Sequence, residues 1–245
     1  MDYGVGHGIK KKSGKWEFSS ELVDEFDDHI RMSIPIYNEV QTYVPIISDW
    51  FLNYTDSVSR VYDLGCSTGE TCRNLAEYHD NDNLKIVGLD VQKDMLIKAK
   101  QKNSEWENVD FVLTDITDFE FQDADFVVSL FTLGFIPELR RIEILKKLFE
   151  GLNPGGGLLI VEKTLAENSF AQNLYNQIYS DYKIKSGFSQ SEVLAKKRSL
   201  RGQLRPLTIS NYNKIFVDVG FDLGDGYSNF IKWFPWAGWI LRKPT

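Results

Sequence analysis

The stretch "YDLGCSTGE" (residues 62–70) decides the fold of this chain. A short apolar strand runs into an acid, a glycine, a turn of small residues and a second glycine. Gly65 lets the backbone turn sharply and lets a ligand approach it closely. Gly69 opens a helix whose N–H groups favour an anion such as a carboxylate or a phosphate. By itself the stretch is equally typical of a ligand site and of a plain strand-to-helix turn.

Strands and helices alternate along the chain from Arg60 to Lys163. Alternation of this kind is typical of a parallel α/β sheet with helices on both faces. Near-continuous apolar strands fit burial on both faces of such a sheet. The predicted strands are 60–65, 84–90, 109–115, 124–132 and 156–163, and the predicted helices are 70–78, 92–102 and 137–151.

The segments outside this alternation have other patterns. Helices are predicted before it, at 19–34 and 37–53, and after it, at 208–219. The aromatic C-terminal segment predicts two strands joined by a short turn, which must pair antiparallel. We therefore predict a doubly wound α/β fold whose mostly parallel sheet ends in an antiparallel hairpin. Its predicted parts are an N-terminal arm and helices covering the site (1–56), a Rossmann-like ligand-binding core (57–164), a helical cap insertion (165–205), and the last helix with the hairpin (206–245).

Composition limits the class of protein. The chain has 245 residues, 42% of them apolar, and a net charge of −7, which argues against a nucleic-acid binder that relies on bulk charge. No apolar run approaches the ~20 residues of a membrane span, so we expect a soluble, cytoplasmic protein. Two cysteines and three scattered histidines predict neither a disulfide framework nor a metal site.

Polar residues follow the first three predicted strands, where ligands bind in an open α/β sheet. Asp90, after the second strand, is placed to accept hydrogen bonds from ribose hydroxyls, although it is also a candidate helix N-cap. Asp115 is placed to accept from the exocyclic amine of an adenine while Ile116 covers the ring; a turn cap is the alternative. The first strand is followed by a group of candidate contacts, Asp63, Gly65, Cys66 and Ser67.

The turn also distinguishes between two nucleoside cofactors. A dinucleotide site prefers G-x-G-x-x-G, whereas the turn here is G-C-S-T-G. The terminal antiparallel hairpin is also unlike a standard dinucleotide fold. We therefore predict S-adenosyl-L-methionine (SAM), in preference to NAD, as the cofactor.

These residues resemble the class I SAM-dependent methyltransferases, and more specifically the carboxy-SAM synthase group. The resemblance implies a seven-stranded sheet with the last strand antiparallel, and a homodimer. Carboxy-SAM and S-adenosylhomocysteine join SAM as implied bound species. The segments that carry the resemblance are "FDDHIRMSIPIY" (26–37), "YDLGCSTG" (62–69), "FTLGF" (131–135), "GLNPGGGL" (151–158) with "EK" (162–163), "KKRSL" (196–200) and "WFPWAGWILRK" (233–243).

The resemblance also assigns roles to individual residues. Arg198 matches the arginine that binds the extra carboxylate of carboxy-SAM, and Leu130 occupies the place of a cofactor-binding asparagine. A guanidinium can fork around a carboxylate through paired, charge-assisted hydrogen bonds. Tyr37 and Arg198 are therefore the candidate catalytic residues. The implied cofactor contacts are Tyr37, Gly65, Cys66, Ser67, Asp90, Val91, Asp115, Ile116, Leu130 and Arg198.

Three functions stay open at this point. The simplest is a SAM-dependent methyltransferase for a small-molecule or RNA-linked acceptor. The resemblance adds a carboxy-SAM synthase, which converts SAM and prephenate to carboxy-SAM and phenylpyruvate for wobble-uridine modification in tRNA. The third is a non-catalytic SAM-binding module. Glu162 is a candidate base, with pairing to Lys163 or capping of the cap domain as alternatives. The other candidate bases are His29, Tyr37, Tyr179 and Tyr182.

Overall fold

The computed structural model describes residues 11–12, 15–16, 20–52 and 58–245. Two short strands, Lys11–Lys12 and Lys15–Trp16, pair antiparallel ahead of the main sheet. The main strands are β1 (Ser59–Leu64), β2 (Leu84–Asp90), β3 (Val109–Leu113), β4 (Ala124–Leu130), β5 (Leu152–Lys163), β6 (Tyr227–Trp233) and β7 (Trp236–Arg242). The helices are α1 (Ser20–Ser33), α2 (Tyr37–Ser48), α3 (Glu70–His79), α4 (Lys93–Lys102), α5 (Glu138–Gly151), α6 (Ser169–Lys185), α7 (Gln190–Ser199) and α8 (Ile209–Val219).

The main strands form one seven-stranded sheet in the order β3-β2-β1-β4-β5-β7-β6. Strands β1 to β5 pair in parallel, whereas β7 pairs antiparallel with both β5 and β6. The predicted doubly wound α/β fold with a terminal antiparallel hairpin is therefore confirmed. The strand order reverses between β1 and β4, so the ligand crevice of this fold lies beyond the carboxyl ends of these two strands.

Each face of the sheet buries its own apolar core because successive side chains of a strand point to opposite faces. On β1, Val61 packs with residues of α2, α3 and α4. Its neighbours Tyr62 and Leu64 pack with residues of α5 and α8 on the other side. Burial on both faces accounts for the near-continuous apolar strands of the sequence.

Several elements end earlier than the sequence predicts. Helix α2 stops at Ser48 and not at residue 53, because the chain tightens there and Phe51 N–H donates to the Ser48 carbonyl at 2.9 Å. Strand β4 stops at Leu130 because Phe131 takes a left-handed backbone conformation (φ 60°). The chain then enters a short 3-10 helix, Leu133–Phe135.

Helices α6 and α7 lie between β5 and α8, where the sequence predicts an inserted helical cap. Each of these two helices begins at a side-chain cap. Asn168 Oδ1 accepts from the N–H of Ala171 at the start of α6, and Ser189 forms a capping box with Glu192 at the start of α7. In the described parts of the chain, none of the helices has the length and apolar character needed to cross a membrane.

Candidate functional site

The turn of residues 65–69, which we call the glycine turn, passes directly under the end of β4. Gly65 has a left-handed backbone (φ 69°), and a Cβ added there would lie 2.5 Å from Oγ1 of Thr132. That hydroxyl donates to the Leu64 carbonyl at 2.9 Å, which connects Thr132 to the residue just before the turn. Both the backbone conformation and the close approach require glycine at position 65.

Asp90 joins the end of β2 to the glycine turn. Its Oδ2 accepts from the N–H of Ser67 at 2.9 Å, and its Oδ1 accepts from the N–H of Gln92 at 2.8 Å. Burial raises the pKa of this carboxyl. Gln92, and not Asp90, occupies the N-cap position of α4, so the alternative role of Asp90 as a helix N-cap is wrong. The side chain of Val91, beside Asp90, is 55% exposed.

Asp115 and Ile116 lie beyond β3 and have different environments. Oδ1 of Asp115 accepts from the N–H of Thr117 at 2.9 Å, so this exposed carboxylate caps a turn. Ile116 is only 4% exposed and packs into the core on the α5 and α8 side. Asp115 has acceptor lone pairs available for a ligand, whereas the side chain of Ile116 is largely occupied by core packing.

Asp63, in β1, and Cys66, within the glycine turn, are both buried. Asp63 is 2% exposed, and its Oδ2 accepts from Sγ of Cys72 at 3.4 Å. Burial, opposed by this hydrogen bond and reinforced by the charge of Asp90, raises the pKa of Asp63 to about 7. Burial also raises the pKa of the Cys66 thiol, which leaves it un-ionised and poorly nucleophilic.

Tyr37 connects α2 to the site. Its ring is 6% exposed and lies 6.1 Å from the ring of Phe131, which directly follows Leu130 at the end of β4. The Tyr37 hydroxyl accepts from Nε2 of Gln41 at 3.1 Å, and the same amide reaches Oγ1 of Thr71 in α3. The structure therefore brings Tyr37 and Leu130 to the same side of the sheet as the glycine turn.

A polar network that the sequence did not predict attaches α1 to the glycine turn. Asp27 accepts from Oγ1 of Thr68 and forms an ion pair with Nζ of Lys102 at 2.6 Å. Arg31, one helical turn along, forms an ion pair with Glu70. The signal was present as an acid and a base four residues apart in "FDDHIR", since residues at this spacing share one helix face.

Four aromatic rings lie in sequence across the ends of β4 and β5, and we call them the aromatic row: Tyr37, Phe131, Trp236 and Tyr179. Ring centroids are 5.3 Å apart for Phe131 and Trp236, and 5.8 Å apart for Trp236 and Tyr179. The Tyr179 hydroxyl donates to the Ser33 carbonyl at 2.9 Å, which attaches α6 to the end of α1.

Glu162 has a structural role at the end of β5. It is 1% exposed, and it accepts from the N–H groups of Leu133 and Gly134 at 2.6 and 3.1 Å. Burial, opposed mainly by the charge of Arg141, raises its pKa to about 7. The predicted pairing with Lys163 is therefore wrong, because the carboxylate faces the 3-10 helix instead.

Four lysines form a group that we call the lysine cluster. Lys163 and Lys183 lie over the Tyr179 ring, and the charges of Lys196 and Lys197 in α7 act on these two lysines. The Nζ atoms of Lys163 and Lys183 lie 4.7 and 4.6 Å from the Tyr179 ring centroid. Burial, with the charge of Lys197, lowers the pKa of Lys163 to about 8. Burial, with the charges of Lys163 and Lys196, lowers the pKa of Lys183 to about 7. Lys183, Lys196 and Lys197 were missed because basic helices of this composition are normally solvated, and Lys163 was missed because the sequence suggested Glu162 as its partner.

The candidate base His29 lies close to Lys183 and Lys196, and the candidate clamp Arg198 follows Lys197 in α7. His29 is 8% exposed, stands edge-on to Phe188 at 5.5 Å, and its pKa is lowered to about 4 by burial and by Lys196 and Lys183. Arg198 and Lys197 are both exposed on the last turn of α7, and the charge of Lys197 lowers the pKa of Lys163.

The geometry fits a nucleoside cofactor at the glycine turn. Gly65 leaves room where any Cβ would meet Thr132, and both oxygens of Asp90 keep a lone pair beyond their backbone bonds. Tyr37, the backbone of the glycine turn, Asp90 and Asp115 are the residues at this end of the sheet that could hold SAM. Among the described residues, His, Cys, Asp and Glu side chains form no group of three that could hold a metal ion.

Comparison with known proteins gives concordant results. A family model described as a methyltransferase domain matches residues 61–156. The carboxy-S-adenosyl-L-methionine synthase of Staphylococcus epidermidis is 30% identical over 92% of this chain and 95% of its own length. The synthase of the same name from Desulfotalea psychrophila is 33% identical over 94% of this chain and 92% of its own length.

Solved structures show the same fold. Human N-acetylserotonin methyltransferase in complex with SAM superposes with a TM-score of 0.63 at 18% identity, over 93% of this chain and 57% of the human chain. A SAM-dependent methyltransferase from Aquifex aeolicus gives a TM-score of 0.58 at 16% identity, over 93% of this chain and 100% of its own. The protein is a SAM-dependent transferase of the class I methyltransferase fold.

Proposed function

Because the chain belongs to the carboxy-S-adenosyl-L-methionine synthase family, we propose that it transfers a carboxylate from prephenate to the sulfonium methyl group of SAM. The observation that carries this proposal is similarity to those synthases along nearly the whole chain, including the cap helices α6 and α7. SAM supplies the methyl carbon that receives the carboxylate. The remaining work of the protein is binding, orientation and exclusion of water.

We propose that the glycine turn and Asp90 orient the nucleoside end of SAM. Asp90 accepts hydrogen bonds from the ribose, while the Ser67 N–H keeps its carboxylate in place. Asp115 accepts from the adenine amine. Tyr37, the first residue of α2, packs against Phe131 and borders the reacting end of the cofactor.

The charge beyond β5 supports an anionic second substrate. Prephenate carries two carboxylates, and the reaction leaves one of them on the product derived from SAM. Lys163 and Lys183 add positive charge beside the aromatic row, which a neutral methyl acceptor would not need. Arg198 remains the proposed clamp for the new carboxylate, and Lys197 is the neighbouring alternative because its charge lowers the pKa of Lys163.

The proposed reaction balances without an added oxidant or reductant. Prephenate loses one carboxylate and its ring hydroxyl and becomes phenylpyruvate. The SAM methyl group exchanges one hydrogen for that carboxylate, and the hydrogen leaves with the hydroxyl as water. The protein therefore consumes SAM and prephenate and releases carboxy-SAM, phenylpyruvate and water in equal amounts.

Incubating the purified protein with SAM and prephenate tests this proposal. Mass spectrometry is expected to show a nucleoside heavier than SAM by one carbon dioxide, together with an equal amount of phenylpyruvate. Omitting prephenate should abolish both products. If SAM binds but neither product forms, the synthase proposal is wrong.

Methyl transfer is the second candidate, because a methyltransferase domain model matches residues 61–156. It predicts S-adenosylhomocysteine as the product when an acceptor is supplied, without consumption of prephenate. A non-catalytic module predicts SAM binding without turnover in either assay. We further propose that the synthase is a cytoplasmic homodimer and that its product serves wobble-uridine modification of tRNA.

A further inference from the structure

We infer that Lys163 and Lys183 bind the second substrate at the end of β5 and select a carboxylate donor that carries two negative charges. Lys163 belongs to the predicted core (57–164) and Lys183 to the predicted cap (165–205). This inference rests on the proposed function and names the residues that would receive the second substrate. Lys163 is the last residue of β5, and Lys183 lies in the last turn of α6. The ammonium groups of both lysines lie over the Tyr179 ring, so a residue of the sheet and a residue of α6 meet there.

The first argument is the absence of compensating negative charge. Among the side chains of residues 23–52 and 58–245, no carboxylate forms an ion pair with either Lys163 or Lys183. Lys183 is nevertheless only 7% exposed. A buried ammonium without a carboxylate is costly unless a ligand supplies the missing charge. The nearby Glu192 is engaged by the N–H and hydroxyl of Ser189 at the start of α7.

The second argument is position in the sheet. The glycine turn, Asp90 and Asp115 occupy the ends of β1, β2 and β3, whereas Lys163 ends β5 on the other side of β4. The aromatic row spans the distance between them. A SAM molecule at the glycine turn thus leaves the β5 side of the crevice for a second ligand.

The third argument is a pair of buried polar atoms beside the lysines. Nε1 of Trp236 and Nδ1 of His29 have no hydrogen-bond partner among the described residues, although their side chains are 4% and 8% exposed. The Trp236 ring contacts Tyr179 at 5.8 Å. Buried groups of this kind normally find a partner. A ligand with several carboxylate and carbonyl oxygens would provide an acceptor for the Trp236 N–H and, in the tautomer with the proton on Nδ1, for His29.

Charge removal tests the inference. Lys183→Met and Lys163→Met keep most of the apolar stem and delete the ammonium. Loss of one charge-assisted hydrogen bond is expected to raise the KM for prephenate about tenfold to a hundredfold. The KM for SAM should change by less than about twofold, since the proposed SAM site is at the ends of β1 to β3 and β4 separates it from the lysines on the β5 side. Lys185→Met, an exposed lysine on the same helix, is the matched control and should leave both constants unchanged.

Two further measurements separate this inference from the proposed function and from misfolding. The unliganded Lys183→Met variant should have a higher Tm than wild type, by about 2–4 °C, because it removes a buried charge. Calorimetry on S-adenosylhomocysteine-loaded protein measures prephenate binding without turnover. There the wild type should prefer prephenate to the monoanion phenylpyruvate, and each lysine variant should lose most of this preference.

The outcomes are distinct. If wild type makes carboxy-SAM and both lysine variants keep its KM for prephenate, the inference is overturned and the proposed function stands. If wild type makes no carboxy-SAM, the proposed function fails, and the calorimetric comparison alone decides the inference. Wild type that does not bind prephenate, or lysine variants that bind it as wild type does, would overturn it.

Discussion

The N–H of Ser67 donates to Oδ2 of Asp90 at 2.9 Å, which connects the glycine turn to the end of the neighbouring strand β2. One carboxylate thus orders the turn and presents its remaining lone pairs to the crevice. Its partner oxygen is fixed in turn by the N–H of Gln92 at 2.8 Å. The two backbone bonds leave the carboxylate little freedom, which suits a residue that must meet a ribose in one orientation.

Replacing Asp90 should weaken SAM binding more than it weakens the fold. Asp90→Asn removes the charge and one acceptor at nearly constant volume. Hydrogen bonds to charged groups contribute about 1.5–3 kcal/mol, so the Kd for SAM should rise about tenfold to a hundredfold by calorimetry. Asp94→Asn, an exposed acid on the first turn of α4, is the control. Equal affinities of Asp90→Asn and wild type for SAM would remove Asp90 from the site.

Gly65 should tolerate alanine far less well than Gly202, although both have left-handed backbones (φ 69° and 77°). Alanine at Gly202 meets no atom within 4 Å, so it reports the conformational cost alone, about 1–2 kcal/mol. Alanine at Gly65 adds a contact of 2.5 Å with Thr132, and overpacking costs a further ~1–3 kcal/mol. Denaturant unfolding of the two variants measures the difference. Equal losses would show that Thr132 moves away at no cost.

The ion pair between Arg31 and Glu70 should couple α1 to the glycine turn. Arg31→Met and Glu70→Gln, alone and combined, form a double-mutant cycle. Because Glu70 is only 16% exposed, we expect a coupling of about 1 kcal/mol in the free energy of unfolding. Arg140 and Glu143, an exposed pair three residues apart on α5, supply a control cycle with less coupling. A coupling no larger than that control would mean that α1 is positioned by apolar packing instead.

Prephenate affinity should fall as the pH rises through the pKa values of the lysines. Lowered pKa values of about 7 for Lys183 and about 8 for Lys163 mean that both ammonium groups are protonated below pH 7 and neutral well above pH 8. Calorimetry across this range should therefore give the tightest binding at its acid end. The other titratable groups around the two lysines are His29, Tyr179, Tyr182, Glu192, Lys196 and Lys197.

The Lys183→Met variant provides the check on that pH dependence. With one titrating ammonium removed, the fall in affinity between pH 7 and pH 8 should become shallower. His29 does not add charge in this range, because its pKa is lowered to about 4. An affinity that is flat with pH in the wild type would contradict the assignment of the lysines.

The sheet could be predicted from the sequence because its signals are local. Apolar runs alternate with helical periodicity, and the short turn between the last two strands dictates their antiparallel pairing. The ends of elements were less predictable, because they depend on single backbone conformations. Phe131, for example, ends β4 through a left-handed conformation that its side chain does not signal.

The cofactor side of the site was also predictable. Gly65 and Asp90 lie at the carboxyl ends of two neighbouring parallel strands, and such ends lie side by side at one edge of the sheet. The β5 side was not predictable. Lys163 and Lys183 are 20 positions apart in the chain, and only the packing of α6 on Trp236 brings both against Tyr179. Glu162 seemed a candidate base because it lies near the end of a strand, but its carboxylate is fully buried and faces the N–H groups of the 3-10 helix.

Isotope tracing tests the central claim most directly. Prephenate labelled with carbon-13 in its ring carboxylate would be incubated with SAM and the protein, and the nucleoside product weighed. We predict a product with the mass of SAM plus one labelled carbon dioxide, and unlabelled phenylpyruvate in equal amount. Unchanged SAM beside intact prephenate, with SAM binding demonstrated in the same sample, would contradict the account.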